Sequence, residues 1–371
     1  MSTLAPDRRP KFGGDAQFQN AVRQRVHAFL AANGRRERDV GAMYAKTALL
    51  LLALAGLWTL LVFFASAWWQ AVPLAILVGL ATAAIGFNVQ HDGGHHAYSD
   101  RPWVNKLMAS TLDLVGGSSW YWHFKHGVFH HTYTNVSGQD DDVEVGFFGR
   151  LTPHQPLRSY HRWQHIYLWP LYGFLAMKWH LFDDFQTFAT SRIGSHRVPR
   201  PRGGDLVVFV VGKAVFLSWT LVIPLMFHSV GTVALFYAIA SLFCGLVLSV
   251  VFQLAHVVEE AEFPVPAGAD ARLPRSWAAH QVETTVDFSR KSRIASFLLG
   301  GLNFQVEHHL FPQICHVNYP AIAPVVEKTC EEFGLRYRDH GSFWSGVASH
   351  YRWLKRMGRE RPSAPAAPAA A

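Results

Sequence analysis

Cysteine is scarce in this chain: Cys244, Cys315 and Cys330 are the three present in 371 residues. They have no CxxC spacing and no even count, which argues against a disulfide scaffold or a thiolate-held iron–sulfur cluster and fits a reducing compartment. Charge is scarce as well. Only 16% of residues are Asp, Glu, Lys or Arg while 50% are hydrophobic, with many Trp and Phe, so the chain is far from a disordered composition. Two metal signatures are missing. There is no HExxH, which disfavours zinc hydrolysis, and no Glu-x-x-His of the kind that builds soluble di-iron bundles.

The apolar residues are concentrated in four blocks, at about 44–64, 68–88, 206–227 and 230–252. Each is near the roughly 20 residues that a helix needs to cross a bilayer core. Pro73 and Pro224 lie where such helices tolerate them, near an end. The first block starts too late, runs too long and lacks the small-residue cleavage pattern of a signal peptide.

The basic residues sort by side. The turns Ala65 to Gln70 and His228 to Ser229 carry none, whereas the arm through Lys46 carries nine, 88–204 carries eleven and 253 onward carries thirteen. By the positive-inside rule both termini and the central segment face the cytoplasm. A cytoplasmic face against anionic lipid accounts for the net charge of +8, with no nucleic acid required. Lys213 stands inside the third block, where snorkelling toward the interface is expected, with an acyl-headgroup contact as the alternative.

The expected architecture is an all-α integral membrane protein with four transmembrane helices in two hairpins and a cytoplasmic helical cap. Residues 1–41 form an N-terminal arm, 42–330 the membrane domain, and 331–371 a C-terminal segment whose Pro- and Ala-rich end reads as disordered. In the arm, Phe18, Val22, Val26, Phe29 and Leu30 recur at helical spacing, as in a helix lying along a membrane surface. The central segment is too aromatic for a loop. Leu107 to Val115 and Ile166 to Met177 read as partly buried or interfacial helices, with Trp163, Tyr167, Trp169, Tyr172 and Trp179 suited to the headgroup layer.

Three histidine-dense clusters flank these blocks: His91-Asp92-Gly93-Gly94-His95-His96, His126-Gly127-Val128-Phe129-His130-His131 and Gln305-Val306-Glu307-His308-His309. Neutral imidazole is the commonest side-chain metal ligand. On a helix, His91/His95 and His126/His130 each share a face, while the adjacent His130 and His131 diverge by about 100° and suit two neighbouring metals. Nitrogen donors suit Fe, Zn, Cu or Ni, and spacing alone does not choose among them.

These clusters resemble the three histidine boxes of membrane fatty acid desaturases, in the order His91-Asp92-x-x-His95, His126-x-x-x-His130-His131 and Gln305-x-x-His308-His309. A third box that begins with Gln is similar to the front-end subgroup, which inserts a double bond between an existing one and the carboxyl end. The likeness runs from about Val89 to Pro320. It implies a non-haem di-iron centre, two Fe ions with O₂ as co-substrate, held by His91, His95, His126, His130, His131, His308 and His309. His256, just after the fourth block, matches the family's extra histidine outside the boxes. Gln305 takes a position that is histidine in other subgroups and offers a carbonyl oxygen directly or through water, and Asn303 is a lesser candidate of the same kind.

Around these residues, Asp92, Glu307 and Asp140-Asp141-Asp142 are candidate acceptors for ligand N–H groups; a solvated acidic turn is the other reading of the aspartate run. His96 stands where close relatives carry glycine and reads as a surface residue or a ligand, as does His123. His154, His161, His165 and His316 read as surface or core histidines, and His280 as the one of that kind to test for a ligand role. Trp120, Tyr121 and Trp122 are candidates for a substrate tunnel, against an ordinary role in interfacial packing.

The resulting reading is an oxidoreductase that desaturates a fatty acyl chain, carried on CoA or on a lipid, with O₂ and two electrons. A membrane lipid or carotenoid hydroxylase of the same superfamily is the alternative, since it shares the oxidant. The HPGG motif of a fused cytochrome b5 domain does not occur, so electrons are expected from an external ferredoxin or cytochrome b5 with its reductase. The expected location is a bacterial inner membrane.

Overall fold

A computed structural model describes residues 9–267 and 271–361; the low-complexity tail at 362–371 lies outside the described residues. Among the described residues, four helices are long and apolar enough to cross a membrane: Gly41–Phe64, Trp68–Gly94, Gly204–Leu225 and Val230–His256. They form the two hairpins read from the sequence, with turns at Ala65–Ala67 and Phe227–Ser229. The limits differ in an informative way. The second helix continues into the first histidine box as far as Gly94, and the fourth continues to His256, so His91 and His256 stand on the spans, at the ends away from the hairpin turns, and His95 follows the second span directly. Polar residues extend both helices because they face the protein interior there.

The second and fourth spans cross closely enough that a Cβ on Gly79 would lie 2.2 Å from the Ala240 carbonyl oxygen. Small residues permit this approach, and dispersion contacts and backbone proximity hold the helices together where lipid removes the hydrophobic drive. Gly245 does the same further along the fourth span, where a Cβ would meet the Gly173 carbonyl at 2.3 Å.

Helices Thr111–Leu114 and Leu175–Lys178 lie along the third and fourth spans, and others, among them Gln17–Ala32, Tyr319–Glu332 and Phe343–Met357, cap the bundle at the end away from the hairpin turns. The arm helix Gln17–Ala32 buries Phe18, Val22, Val26 and Leu30 against Ile322, Ala323, Val326 and Cys330 of helix Tyr319–Glu332. This corrects the expectation that its apolar face meets the membrane: the stripe is used inside the cap, where each buried side chain contributes about 1.5–3 kcal/mol. Helix Phe343–Met357 packs beside the His256 end of the fourth span and against Gln164–Tyr172. Two-residue parallel pairings tie distant segments, Lys11–Phe12 to Arg272–Leu273 and Asp287–Phe288 to Asp339–His340. They leave the class all-α.

Lys213 also departs from expectation. Its ammonium is buried and does not snorkel: it donates to Asp184 Oδ2 at 2.6 Å and to the Gly116 carbonyl at 2.5 Å. A partner carboxylate supplied by a neighbouring helix removes the need to reach water.

Candidate metal centre

The first box is carried by the end of the second span, after a π-helical turn at Gly86–Gln90. A Cβ on Gly94 would fall 2.2 Å from the Trp122 ring, so the glycine admits that indole beside His91 and His95. The second box departs from α-helical geometry. His123–His130 is π-helical and runs into His131–Tyr133, so the residues do not splay as an ideal α-helix would place them. His126 Nε2 and His131 Nε2 lie 3.3 Å apart, and π segments of this kind recur at functional sites. The third box is the short helix Gln305–Leu310, every residue of which is buried.

These elements bring together all eight histidines singled out in the sequence. The donor atoms of His91, His95, His126 and His308 lie within 4.8 Å of one another, as do those of His130, His256 and His309, and those of His131, His308 and His309. His308 and His309 join the groups, because each is shared. The side chain of His126 is the more open, at 12% exposure, while the other seven are buried.

The nitrogens are divided by role. Those facing outward have acceptors: His130 Nδ1 at 2.9 Å from Asp140, His309 Nδ1 at 2.7 Å from Gln281 Oε1, His308 Nδ1 at 3.3 Å from the Tyr319 hydroxyl, and His256 Nδ1 at 3.3 Å from the Thr284 carbonyl. The Nε2 atoms of His91, His95, His130, His308 and His309, and Nδ1 of His131, are buried with no hydrogen-bond partner. Buried polar atoms are rarely left so. Six orphaned imidazole nitrogens aimed at one region fit cations, with the outward acceptors fixing tautomer and ring orientation as metal sites require.

Electrostatics agree. Burial first, then mutual repulsion, holds His95, His131, His308 and His309 well below the ordinary imidazole value, so they present the neutral, ligating form. His130 differs: burial pulls it down, but the Asp140 carboxylate outweighs that and raises it.

Among the neighbours, the aspartate run divides its work. Asp140 orients His130, Asp142 lies 3.6 Å from His126 Nδ1, and Lys125 bridges Asp141 and Asp142 at 3.3 Å each. Gln305 reaches the group through an amide 2.9 Å from His256 Nε2. Trp122 stacks on His126 with ring centres 4.8 Å apart, and so borders the cluster. Trp120 instead donates to the Pro199 carbonyl, and Tyr121 packs on Phe209.

Several expected neighbours do other work. Asp92 accepts from the ring and backbone of His316, at 3.0 and 3.1 Å, instead of from a box histidine; its carboxylate points behind the first box. Glu307 shares the Tyr337 hydroxyl with Asp287, again behind the box. Asn303 donates to the Ser289 carbonyl and Ser296 hydroxyl, shaping the loop before the third box. His280 Nε2 lies 3.0 Å from the Thr134 carbonyl and its ring meets Phe12, outside the histidine groups. His154 and His161 lie beside the backbone carbonyls of Phe263 and Phe147, and His165 is buried outside the groups. His96 and His123 are exposed, His96 with φ 59°.

Gln281 was not foreseen. Its amide oxygen takes both His309 Nδ1 and the Thr134 hydroxyl. No motif marks it, and only its position next to His280 gave any signal.

Residues 67–341 match the family model for fatty acid desaturases. Over 347 residues the chain is 39% identical to the sn-1 linoleoyl-lipid 6-desaturase of Arthrospira platensis, covering 93% of this chain and 94% of that one. It is 34% identical to the enzyme of the same name from Synechocystis, over 95% of this chain and 98% of that one. An acyl-lipid (8-3)-desaturase of Physcomitrium patens is 38% identical over 92% of this chain and 72% of its own. With a family match across most of its length, and with the histidines of that match gathered at the ends of two apolar hairpins away from their turns, this chain belongs to the fatty acid desaturase family.

Proposed function

We propose that the protein is a front-end desaturase acting on lipid-linked acyl chains, with a di-iron centre held by His91, His95, His126, His130, His131, His256, His308 and His309. The observation that carries this reading is the convergence of orphaned, buried imidazole nitrogens from three boxes and the fourth span. One group of four nitrogens and two groups of three, linked through His308 and His309, exceed what one ion needs. When bound, iron supplies the oxidising power to activate O₂ against an unactivated C–H bond. In the net reaction, two hydrogens leave adjacent carbons, and O₂ with two electrons and two further protons becomes two waters.

The chain's own residues supply orientation. Asp140, Gln281, Tyr319 and the Thr284 carbonyl fix the rings, Gln305 lies beside His256, and Trp122 closes one side of the cluster against water. Position along the acyl chain is then selected by how the substrate is held, a positioning effect. The lipid-linked substrate class and the bond nearest the sixth carbon follow the printed names of the relatives from Arthrospira and Synechocystis. Gas chromatography–mass spectrometry of lipids from a host expressing the chain and supplied with linoleate tests this. A new double bond on the carboxyl side is expected; a hydroxylated product with no new double bond would replace the reading with a hydroxylase.

Electrons are proposed to come from a small acidic carrier, a ferredoxin or cytochrome b5, meeting a cytoplasmic face whose basic residues give the chain its charge of +8. Steering of this kind weakens as salt screens it. With carrier limiting in isolated membranes, turnover is expected to fall as ionic strength rises, and activity given only a nicotinamide cofactor would refute the carrier. Topology is checked by labelling. The native cysteines are buried, so Arg101→Cys and Arg336→Cys, both at exposed positions, are expected to react from the cytoplasmic side of an inner membrane and Ser66→Cys from the outer side.

A further inference from the structure

The third span carries no histidine box, yet it holds a buried lysine further from its end than Lys46 is in the first span. Lys213 lies nine residues into Gly204–Leu225, which is about 13 Å along the helix axis at 1.5 Å per residue. An ionisable group at that depth marks a function by default. Its two partners come from different segments: Asp184 begins the helix Asp184–Thr190, and Gly116 sits in the turn ahead of the second box.

That turn is unusually determined. Gly116 has φ +101°, a conformation open to glycine, and a Cβ there would lie 2.7 Å from the His180 ring and 2.8 Å from Phe216. Gly212, one residue before the lysine, packs where a Cβ would be 2.5 Å from Asp113 Cβ, and the Ser119 amide lies 3.4 Å from both Asp113 carboxylate oxygens. Directly after the turn, Ser118 caps the helix by accepting from the Tyr121 amide. Helix Ser119–Trp122 then runs without interruption through the π segment His123–His130 into His131–Tyr133. The third span therefore grips the N-terminal root of the helix that carries Trp122, His126, His130 and His131.

We propose that Lys213 is a positioning residue for the second histidine box, acting by holding the Gly116 carbonyl and so fixing the start of the helix that presents His126, His130 and His131. Asp184 balances the lysine's charge; the hydrogen bond to Gly116 sets the geometry. The assignment rests on the reading of the histidine cluster as a metal centre, but not on iron or on any particular product.

The test compares Asp184→Asn with Lys213→Met/Asp184→Asn, using Co²⁺ binding to metal-free protein in detergent, read by its visible ligand-field spectrum, beside membrane accumulation and melting. Asp184→Asn keeps a donor on Gly116 and is expected to bind Co²⁺ within about 3-fold of the wild type. The double variant removes both charges and the donor, and is expected to accumulate in the membrane yet bind Co²⁺ at least 10-fold more weakly, with an altered spectrum, in the range seen when outer partners of metal ligands are lost. Lys213→Gln/Asp184→Asn restores an amide donor and is expected to recover most of that loss; it carries the test if the Met version does not accumulate. Wild-type affinity and spectrum in the Met double variant, or a Gln double variant that folds but binds at least 10-fold more weakly than Asp184→Asn, would overturn the proposal. Absence of Co²⁺ binding by the wild type would instead overturn the metal centre itself.

Discussion

His131→Ala and His309→Ala are each expected to lower desaturation by at least 100-fold while leaving membrane insertion unchanged. The two residues stack with ring centres 4.3 Å apart, and His309 belongs to two of the donor groups. Removing either leaves too few nitrogens for the metal it serves. Insertion depends on the apolar spans, which neither change touches. His96→Ala serves as the matched control: the side chain is exposed and outside the donor groups, so activity at equal protein levels should stay within about 2-fold. Product analysis on membranes with equal protein levels decides it. A loss at His96 equal to that at His131 would show that the site is drawn in the wrong place.

The second large effect concerns metal removal. Purified protein is expected to carry about two irons per chain, to lose activity on chelation, and to regain it with Fe²⁺ and not with Zn²⁺. Stripping the metal should also lower the melting temperature, because at least six buried imidazole nitrogens are then left without partners. Elemental analysis and thermal scans before and after chelation supply both measurements. Full activity with one zinc and no iron would end the di-iron reading, and an unchanged melting temperature would show that these nitrogens find other partners.

The Asp92 and Asp140 carboxylates show why local sequence was a poor guide to the supports of the site. Asp92 lies inside the first box and Asp140 follows the second by nine residues, and both were candidates to orient a box histidine. Asp140 does so, because the chain turns after Asn135, at φ 61°, and returns the carboxylate to His130. Asp92 faces the other side of its helix and meets His316, 224 residues away. Gln281, Tyr319 and the Thr284 carbonyl hold the rings of His309, His308 and His256 in the same way and carry no motif, since their role is created by where the helices Trp277–Thr284 and Tyr319–Glu332 pack.

The amino-acid sequence alone settled the four spans, their pairing into hairpins and the box histidines that meet, because hydrophobic runs of spanning length and closely spaced imidazoles are local signals; the lone His256 was singled out only by the family resemblance. The sequence did not settle the π-helical course of the second box, the burial of the arm helix inside the cap, or the partner of Lys213. Those depend on contacts between segments far apart in the chain, and Lys213 shows the reason most directly. A lone charge in an apolar run reads as one that must reach water, until the fold brings Asp184 and the Gly116 carbonyl to it inside the protein.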